Sequence, residues 1–286
     1  PYQNCVYSET RIRSIAFVCG TSNKYVSKSD IKRYYLCNND LICTDKIGDF
    51  ICDVNEKSRG KVIKRLEGIY DDIYIDEIQD LAGHDLCFLE LLFRSNICMY
   101  VVGDCRQATY FTNQARKNKA LRGQNILNLF SSWEKHNLCC IEFRNDNYRS
   151  NQLICDFSDL LYPDLPKSQS QFTGTSNHDG VFLVRKTDVS EYIDFYNPVI
   201  LKYDKRTNTC GYESYNFGAS KGLTFDRVLI FPNGPISNYL SNNTPLTGDA
   251  KAKFYVGITR ARYSVAIVYD NDSCHDMIQS FSTKQL

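Results

Sequence analysis

The sequence predicts an α/β protein built on parallel sheets, and three observations predict it. Short apolar runs of strand length recur along the 286 residues, of which 43% are apolar. Helix-patterned segments separate them, the alternation expected of strand–helix–strand units. Most of the runs are apolar throughout instead of alternating, as when both faces of a sheet are covered. A charged fraction of 23% and an aromatic fraction of 13% are ordinary for a globular chain, and exclude a disordered tail or a collagen-like fibre. No apolar stretch approaches the roughly 18 residues of a membrane span. With 34 basic against 33 acidic residues, bulk charge neither announces nor excludes a nucleic-acid partner.

In chain order, the β-branched and aromatic run Ser14–Cys19 (SIAFVC) predicts the first strand, and a helical pattern follows at Gly60–Ile69. Strand Ile73–Asp76 (IYID), helix His84–Arg94, strand Ile97–Val102 (ICMYVV) and helix Ile126–Lys135 come next. A strand is expected at Leu138–Phe143 (LCCIEF) and a helix at Gln152–Leu161. The stretch Tyr162–Gly180, rich in Pro, Ser, Thr, Asn and Gly, reads as a long surface loop. Strands Val181–Val184, Pro198–Leu201 and Val228–Phe231 precede a second polar loop, Asn233–Gly248. Helix Ala250–Arg262 then leads into strand Val265–Tyr269. A division near residue 135 gives two α/β units, 1–135 and 136–286, each near the usual domain size.

The 13 cysteines are odd in number and contain no C-x-x-C pair, which suits neither a zinc knuckle nor a disulfide framework. Cys87, Cys98, Cys105 and Cys210 sit in or beside apolar runs, where a thiol acts as a small core residue. Reduced, structural cysteines in a cytoplasmic protein are therefore expected. The opening residues PYQNCVYSETRIRS lack an apolar core, so no secretory signal is expected.

Chemical content begins at Ile73–Asp80 (IYIDEIQD), where an apolar strand runs into Asp76 and Glu77. The carboxyl end of a parallel strand is the edge at which such sheets bind ligands. There one carboxylate can hold Mg²⁺ through water while its neighbour positions an attacking water; a plain acidic loop is the alternative. A second strand end carries Gly103–Tyr110 (GDCRQATY). Asn147–Ser150 (NYRS), Gly218–Asp226 (GASKGLTFD) and Phe254–Arg262 (FYVGITRAR) follow.

This ordered set, spread over residues 73–262, resembles the UvrD/Rep-like branch of superfamily 1 helicases. It is similar to their motif II (DExxD), motif III (GDxxQxxY), motif IV (NYRS), motif V (SKGLxFD) and motif VI (YVxxTRA). The resemblance implies two RecA-like parallel-sheet lobes, the P-loop NTPase helicase core, with ATP and Mg²⁺ between them and single-stranded or partly duplex DNA across both. It implies that Asp76 holds Mg²⁺, Glu77 activates the hydrolytic water, and Gln107 senses the γ-phosphate. Arg149 and Arg260 match the arginines that reach the γ-phosphate from the second lobe, where a fixed positive fork stabilises phosphoryl transfer. Gly222 falls in the nucleotide-responsive part of motif V, and Ser220 and Lys221 match its backbone-contacting residues. Tyr110 matches a tyrosine near the bases, where an aromatic face suits sequence-independent stacking. Arg116, Lys117, Lys119 and Arg122 lie in the acid-free window 113–125, which can track phosphates or form a solvated basic face.

The pattern departs from the family at several places. No G-x-x-x-x-G-K-[ST] occurs, so the backbone cradle and lysine for the β- and γ-phosphates are missing from these residues. Residue 1 is Pro, and a first lobe truncated at its N-terminus, in a C-terminal portion of a longer protein, is the expectation. Motif V has Gly218 where the family has His and Thr224 where it has Glu, and Thr112 replaces a common DNA-stacking aromatic. The compactness of the second half resembles the short UvrD-like helicase partners of bacterial anti-phage systems such as Gabija, which implies a protein partner such as a nuclease subunit. The expected activity is thus ATP-dependent translocation on DNA, with the chain alone inactive. The alternative is a degenerate module that binds DNA or a protein without hydrolysis.

Overall fold

The computed structural model describes residues 1–38 and 40–282, and the chain divides into two compact units, Pro1–Ile141 and Glu142–Leu286. The division lies beyond the residue-135 boundary read from the sequence.

In the first unit, β1 (Ser14–Ala16) pairs in parallel with β3 (Leu41–Cys43), which pairs antiparallel with β2 (Leu36–Asn38). Helices α1 (Ile31–Tyr35), α2 (Ile47–Lys57) and α3 (Lys61–Glu67) accompany this sheet. Tyr35, Leu36, Ile42, Phe50 and Val54 form its core. A second sheet pairs β4 (Asp72–Ile75) with β5 (Cys98–Val101) in parallel, with α4 (Asp85–Phe93) between them in sequence. Beneath it Ile78, Leu86 and Leu89 pack on Ile126, Phe130 and Trp133, the last three on α5 (Ile126–Lys135).

Both faces of β4 and β5 were expected to be covered, and here the first unit departs from the sequence reading. Ile73, Ile75, Met99 and Val101 point inward, while Tyr74 and Tyr100, register partners, stack on the outer face with ring centres 4.8 Å apart. Cys37 and Cys43 form a disulfide across β2 and β3, a correction to the expectation that all the cysteines are reduced. The expected strand at Leu138–Phe143 is also absent. Leu138 N–H bonds to Trp133 O and Ile141 N–H to the Glu134 carboxylate, so this run finds its partners on α5 instead of a neighbouring strand.

The second unit carries a sheet of parallel strands. It opens with the short pair β6 (Asp146–Asn147) and β7 (Gln169–Ser170), linked by α6 (Gln152–Asp159). The main strands are β8 (Gly180–Val184), β9 (Val199–Lys202), β10 (Tyr215–Asn216), β11 (Phe225–Phe231), β12 (Ala261–Val268) and β13 (Ile278–Ser280). Their order across the sheet is β10-β9-β11-β12-β8-β13. Alternate residues supply the two cores, as the strand period of two requires. Val181, Leu183, Val228, Ile230, Val265 and Ile267 face one core. Phe182, Val184, Leu229, Phe231, Ala266 and Val268 face the other, closed by α7 (Val189–Tyr196). Both faces are covered here, as the continuously apolar runs imply.

Two sequence expectations change in this unit. The supposed loop Asn233–Gly248 holds helix α8 (Gly234–Asn242). Asn233 caps it by accepting Ile236 N–H, Pro235 sits in its first turn, and Asn243 ends it in the left-handed region. Helix α9 (Gly248–Ile258) is shorter than the expected helix Ala250–Arg262 at its C-terminal end, and Ala261 and Arg262 already belong to β12. Among the described residues no helix is long and apolar enough to cross a membrane.

Candidate functional site

In the first unit the acidic residues stand at the carboxyl end of β4, the ligand-binding edge of a parallel sheet. Asp76 Oδ1 accepts the Glu77 N–H at 2.7 Å. Glu77 itself takes the left-handed conformation, φ 53°, which costs a non-glycine residue free energy and concentrates at functional sites. Its carboxylate accepts a hydrogen bond from Gln79 Nε2. Gln79 is 1% exposed, and its Oε1 accepts the Asp104 N–H at 3.0 Å, so this one side chain joins the two acidic strand ends. Gly103 is required beside it, because a Cβ there would collide with the Gln79 carboxamide. The sequence reading missed Gln79; the signal was a polar residue two positions after Glu77, opposite a glycine.

Asp104 organises the following turn. Its Oδ1 accepts Arg106 N–H at 3.0 Å and Arg106 Nε–H at 2.8 Å, and its Oδ2 accepts Gln107 Nε2–H at 3.1 Å. The structure thus brings Asp76, Glu77 and Gln107 together through Gln79 and Asp104. Tyr110, 64% exposed, stands at the start of the next loop, and Arg116, Lys117 and Lys119 are exposed along it. Arg122 departs from the expected phosphate-tracking set. Its guanidinium donates to the carbonyls of Asn113 and Ala115 and to Gln114, so it closes the loop on itself.

In the second unit the remaining residues form one block at the amino ends of β11 and β12. Asn147 Oδ1 accepts the N–H groups of Arg149 and Ser150, a side-chain turn that aims Arg149. Arg149 Nη1 donates to Thr259 O at 3.1 Å, and Ser150 Oγ to Ala261 O at 2.7 Å. Asn151 N–H and Nδ2–H reach the carbonyls of Arg262 and Tyr263. Burial lowers the Arg149 guanidinium from its ordinary pKa, so a neighbouring anion would relieve a desolvated charge. Tyr148 beside it is 74% exposed, an aromatic face that the sequence reading passed over.

Two of the expected site residues, Arg260 and Ser220, are buried. Arg260 is only 1% exposed, with Nε donating to Val256 O and Nη1 to Leu223 O. In this arrangement it ties Leu223, just before β11, to α9. The Ser220 hydroxyl is fully buried and donates to Phe217 O, so it is not offered to a nucleic acid. Lys221 is half-buried beside it, and Gly222 turns the chain at φ 84° with open space around its Cα.

Mg²⁺ takes oxygen ligands and is commonly held by one or two carboxylates together with substrate phosphates. Asp76, exposed at the end of β4, carries a carboxylate of that type. Among the described residues no group of three or more His, Cys, Asp or Glu could form a protein-only metal cage. The backbone cradle for a triphosphate is not found in these 286 residues.

No family model matches the chain, and no curated protein matches it. Solved structures do resemble it. The arterivirus nonstructural protein 10 helicase is 19% identical with a TM-score of 0.45, over 70% of this chain and 39% of that one. The complex of an arterivirus nonstructural protein 10 helicase with DNA is 18% identical with a TM-score of 0.43, over 69% and 39%. The C-terminal domain of a possible DNA helicase from Lactobacillus plantarum is 13% identical with a TM-score of 0.31, over 47% and 98%. The chain spans 34% of the length of the PRRSV helicase that it resembles. At these scores the function rests on the residues themselves.

Proposed function

We propose that the chain is the nucleic-acid-contacting and hydrolysis-supporting part of an ATP-dependent, UvrD/Rep-like superfamily 1 helicase with RecA-like units. The observation that carries this reading is the strained Glu77 at the carboxyl end of β4, held through Gln79 to the strand end that bears Gln107.

In this reading Asp76 supplies the oxygen ligand for Mg²⁺ and Glu77 orients the attacking water. When bound, ATP–Mg²⁺ supplies the phosphoryl group and its charge. Gln107 lies one hydrogen bond from Asp104, whose backbone is held by the side chain that also holds Glu77. In the second unit Arg149 and Arg260 match the arginines by which such helicases reach a phosphate, and Arg260 would have to exchange its carbonyl partners to act as one. Tyr148 offers an exposed ring for stacking on a nucleobase. Tyr110 stacks on a base of single-stranded DNA, and Arg116, Lys117 and Lys119 follow its phosphates.

A second reading is binding without hydrolysis, by a degenerate module that holds DNA or a protein such as a nuclease subunit. The carbonyl-bound Arg260 favours it. Titration of the chain with a labelled single-stranded oligonucleotide at several salt concentrations tests the nucleic-acid side of both. Binding that weakens with salt, with a shallower slope in the triple variant Arg116→Ala, Lys117→Ala, Lys119→Ala, supports a phosphate-tracking loop. A slope unchanged by the triple variant contradicts it.

A further inference from the structure

Among the ties that anchor the loop carrying Tyr110 and the exposed basic side chains, one comes from a buried side chain. Asn113 is 2% exposed. Its Oδ1 accepts the Ala115 N–H at 2.7 Å, a local turn, while its Nδ2 donates at 2.8 Å to the carbonyl of Asp45, far away in sequence. Asp45 is buried and already committed, since its carboxylate accepts both N–H and Oγ–H of Ser22. Asn113 O accepts Arg122 Nη2–H, which closes the far end of the loop onto the same residue.

The segment after the acidic strand end is shaped to receive this anchor. Gly83 lies at φ 62°, and a Cβ there would come within 2.7 Å of Asn113 Oδ1, so glycine is required both by the backbone and by the space. On either side, Thr112 N–H donates to Asp80 O, Thr112 Oγ1–H to Asp85 Oδ2, and Asn118 Nδ2–H to Gly83 O.

We propose that Asn113 is the positioning residue of the nucleic-acid loop, fixing Tyr110 and Arg116, Lys117 and Lys119 between the acidic strand end and the Asp45 backbone. It touches no substrate, and acts by setting where the exposed aromatic and cationic side chains stand. The proposal rests on the nucleic-acid reading above, and its structural half can be measured without any ligand. The tie to Asp45, not the local turn, is the part that matters, because an isolated side-chain turn constrains only its own neighbours, whereas a buried long-range hydrogen bond fixes the loop to the body of the unit.

The experiment compares wild type, Asn113→Ala, which removes both bonds, and Asn113→Asp, which keeps the acceptor for Ala115 N–H but loses the donor to Asp45. Amide hydrogen exchange is read over residues 109–122, with the strands of the second unit as an internal control for folding. Single-strand affinity is read at several salt concentrations. In both variants the loop amides are expected to exchange faster while the second unit stays protected. Affinity is expected to fall roughly tenfold, with a salt slope shallower by about 0.7 for each phosphate that the loop no longer neutralises. Gly83→Ala is expected to reproduce the effect from the opposite side. Loop exchange and salt slope unchanged in Asn113→Asp would overturn the proposal. Wild-type chain that binds no single strand would remove the nucleic-acid reading, and the exchange result would still decide whether Asn113 anchors the loop.

Discussion

Gln79 Oε1 accepts the backbone N–H of Asp104 at 3.0 Å, while the other end of the same carboxamide donates to Glu77. This buried side chain therefore adds to the backbone bonds Ile78 N–H to Val102 O and Val102 N–H to Ile75 O in joining the two strand ends that carry Asp76, Glu77 and Gln107. Replacing it leaves an N–H and a carboxylate without that partner. Glu77 is exposed and water can replace its lost donor, so Gln79→Leu is expected to destabilise the chain by about 1 kcal/mol, the usual net contribution of an intramolecular hydrogen bond. Chemical denaturation measures the loss, and hydrogen exchange at Asp104 localises it. A neutral Gln79→Leu would mean the strand ends are held by other contacts.

Arg260 gives a second expectation. Its buried guanidinium donates to Val256 O and Leu223 O, so Arg260→Ala removes two ties and leaves a cavity. The expected loss is about 2–4 kcal/mol. It should appear as a lower unfolding midpoint. Full stability in Arg260→Ala would show that the side chain is held for chemistry alone.

His178 predicts a pH dependence. Its ring lies between Phe182 and Tyr196, with centroids 3.7 and 3.9 Å away, and Nε2 meets Tyr192 OH at 2.9 Å. Burial, with a smaller contribution from Arg227, lowers its pKa to about 4. The folded state holds the ring neutral while the unfolded chain protonates it near its ordinary value of about 6.5. Stability is therefore unaffected above that value, falls as pH drops through the window from 6.5 to 4, and levels off below. The full loss is up to about 3.5 kcal/mol at roughly 1.4 kcal/mol per pH unit. His178→Phe is expected to flatten this window relative to wild type, and equal slopes in the two proteins would refute the assignment.

The chain as it stands is expected to show no DNA-stimulated ATP hydrolysis, because no residues here cradle the β- and γ-phosphates. A phosphate-release assay with and without single-stranded DNA checks this. Appreciable turnover that Glu77→Gln abolishes would contradict it.

Where sequence and structure agree, the cause is periodicity. The continuously apolar runs at 181–184 and 228–231 are buried on both faces, and the Ile126–Lys135 helix has the bounds that its pattern indicates. Where they part, tertiary partners decide. LCCIEF has strand composition but bonds to the end of α5, and Asn233 with Pro235 begins a helix inside a polar stretch read as loop. The acidic strand end and Gln107 were legible as residue types at spacings. Gln79 and Asn113 were not, because their importance lies in distant backbone groups, Asp104 N–H and Asp45 O, that no local pattern reveals.

The most direct test of the central claim is the affinity of the chain for a labelled single-stranded oligonucleotide, measured by fluorescence anisotropy for wild type, Tyr110→Phe and Tyr110→Ala. Stacking needs the ring and not the hydroxyl, so Tyr110→Phe should bind like wild type. Tyr110→Ala should bind roughly 5- to 150-fold more weakly, the value of about 1–3 kcal/mol for one stacked base. Absence of binding by the folded wild-type chain at low salt, or equal affinity in Tyr110→Ala, would contradict the claim.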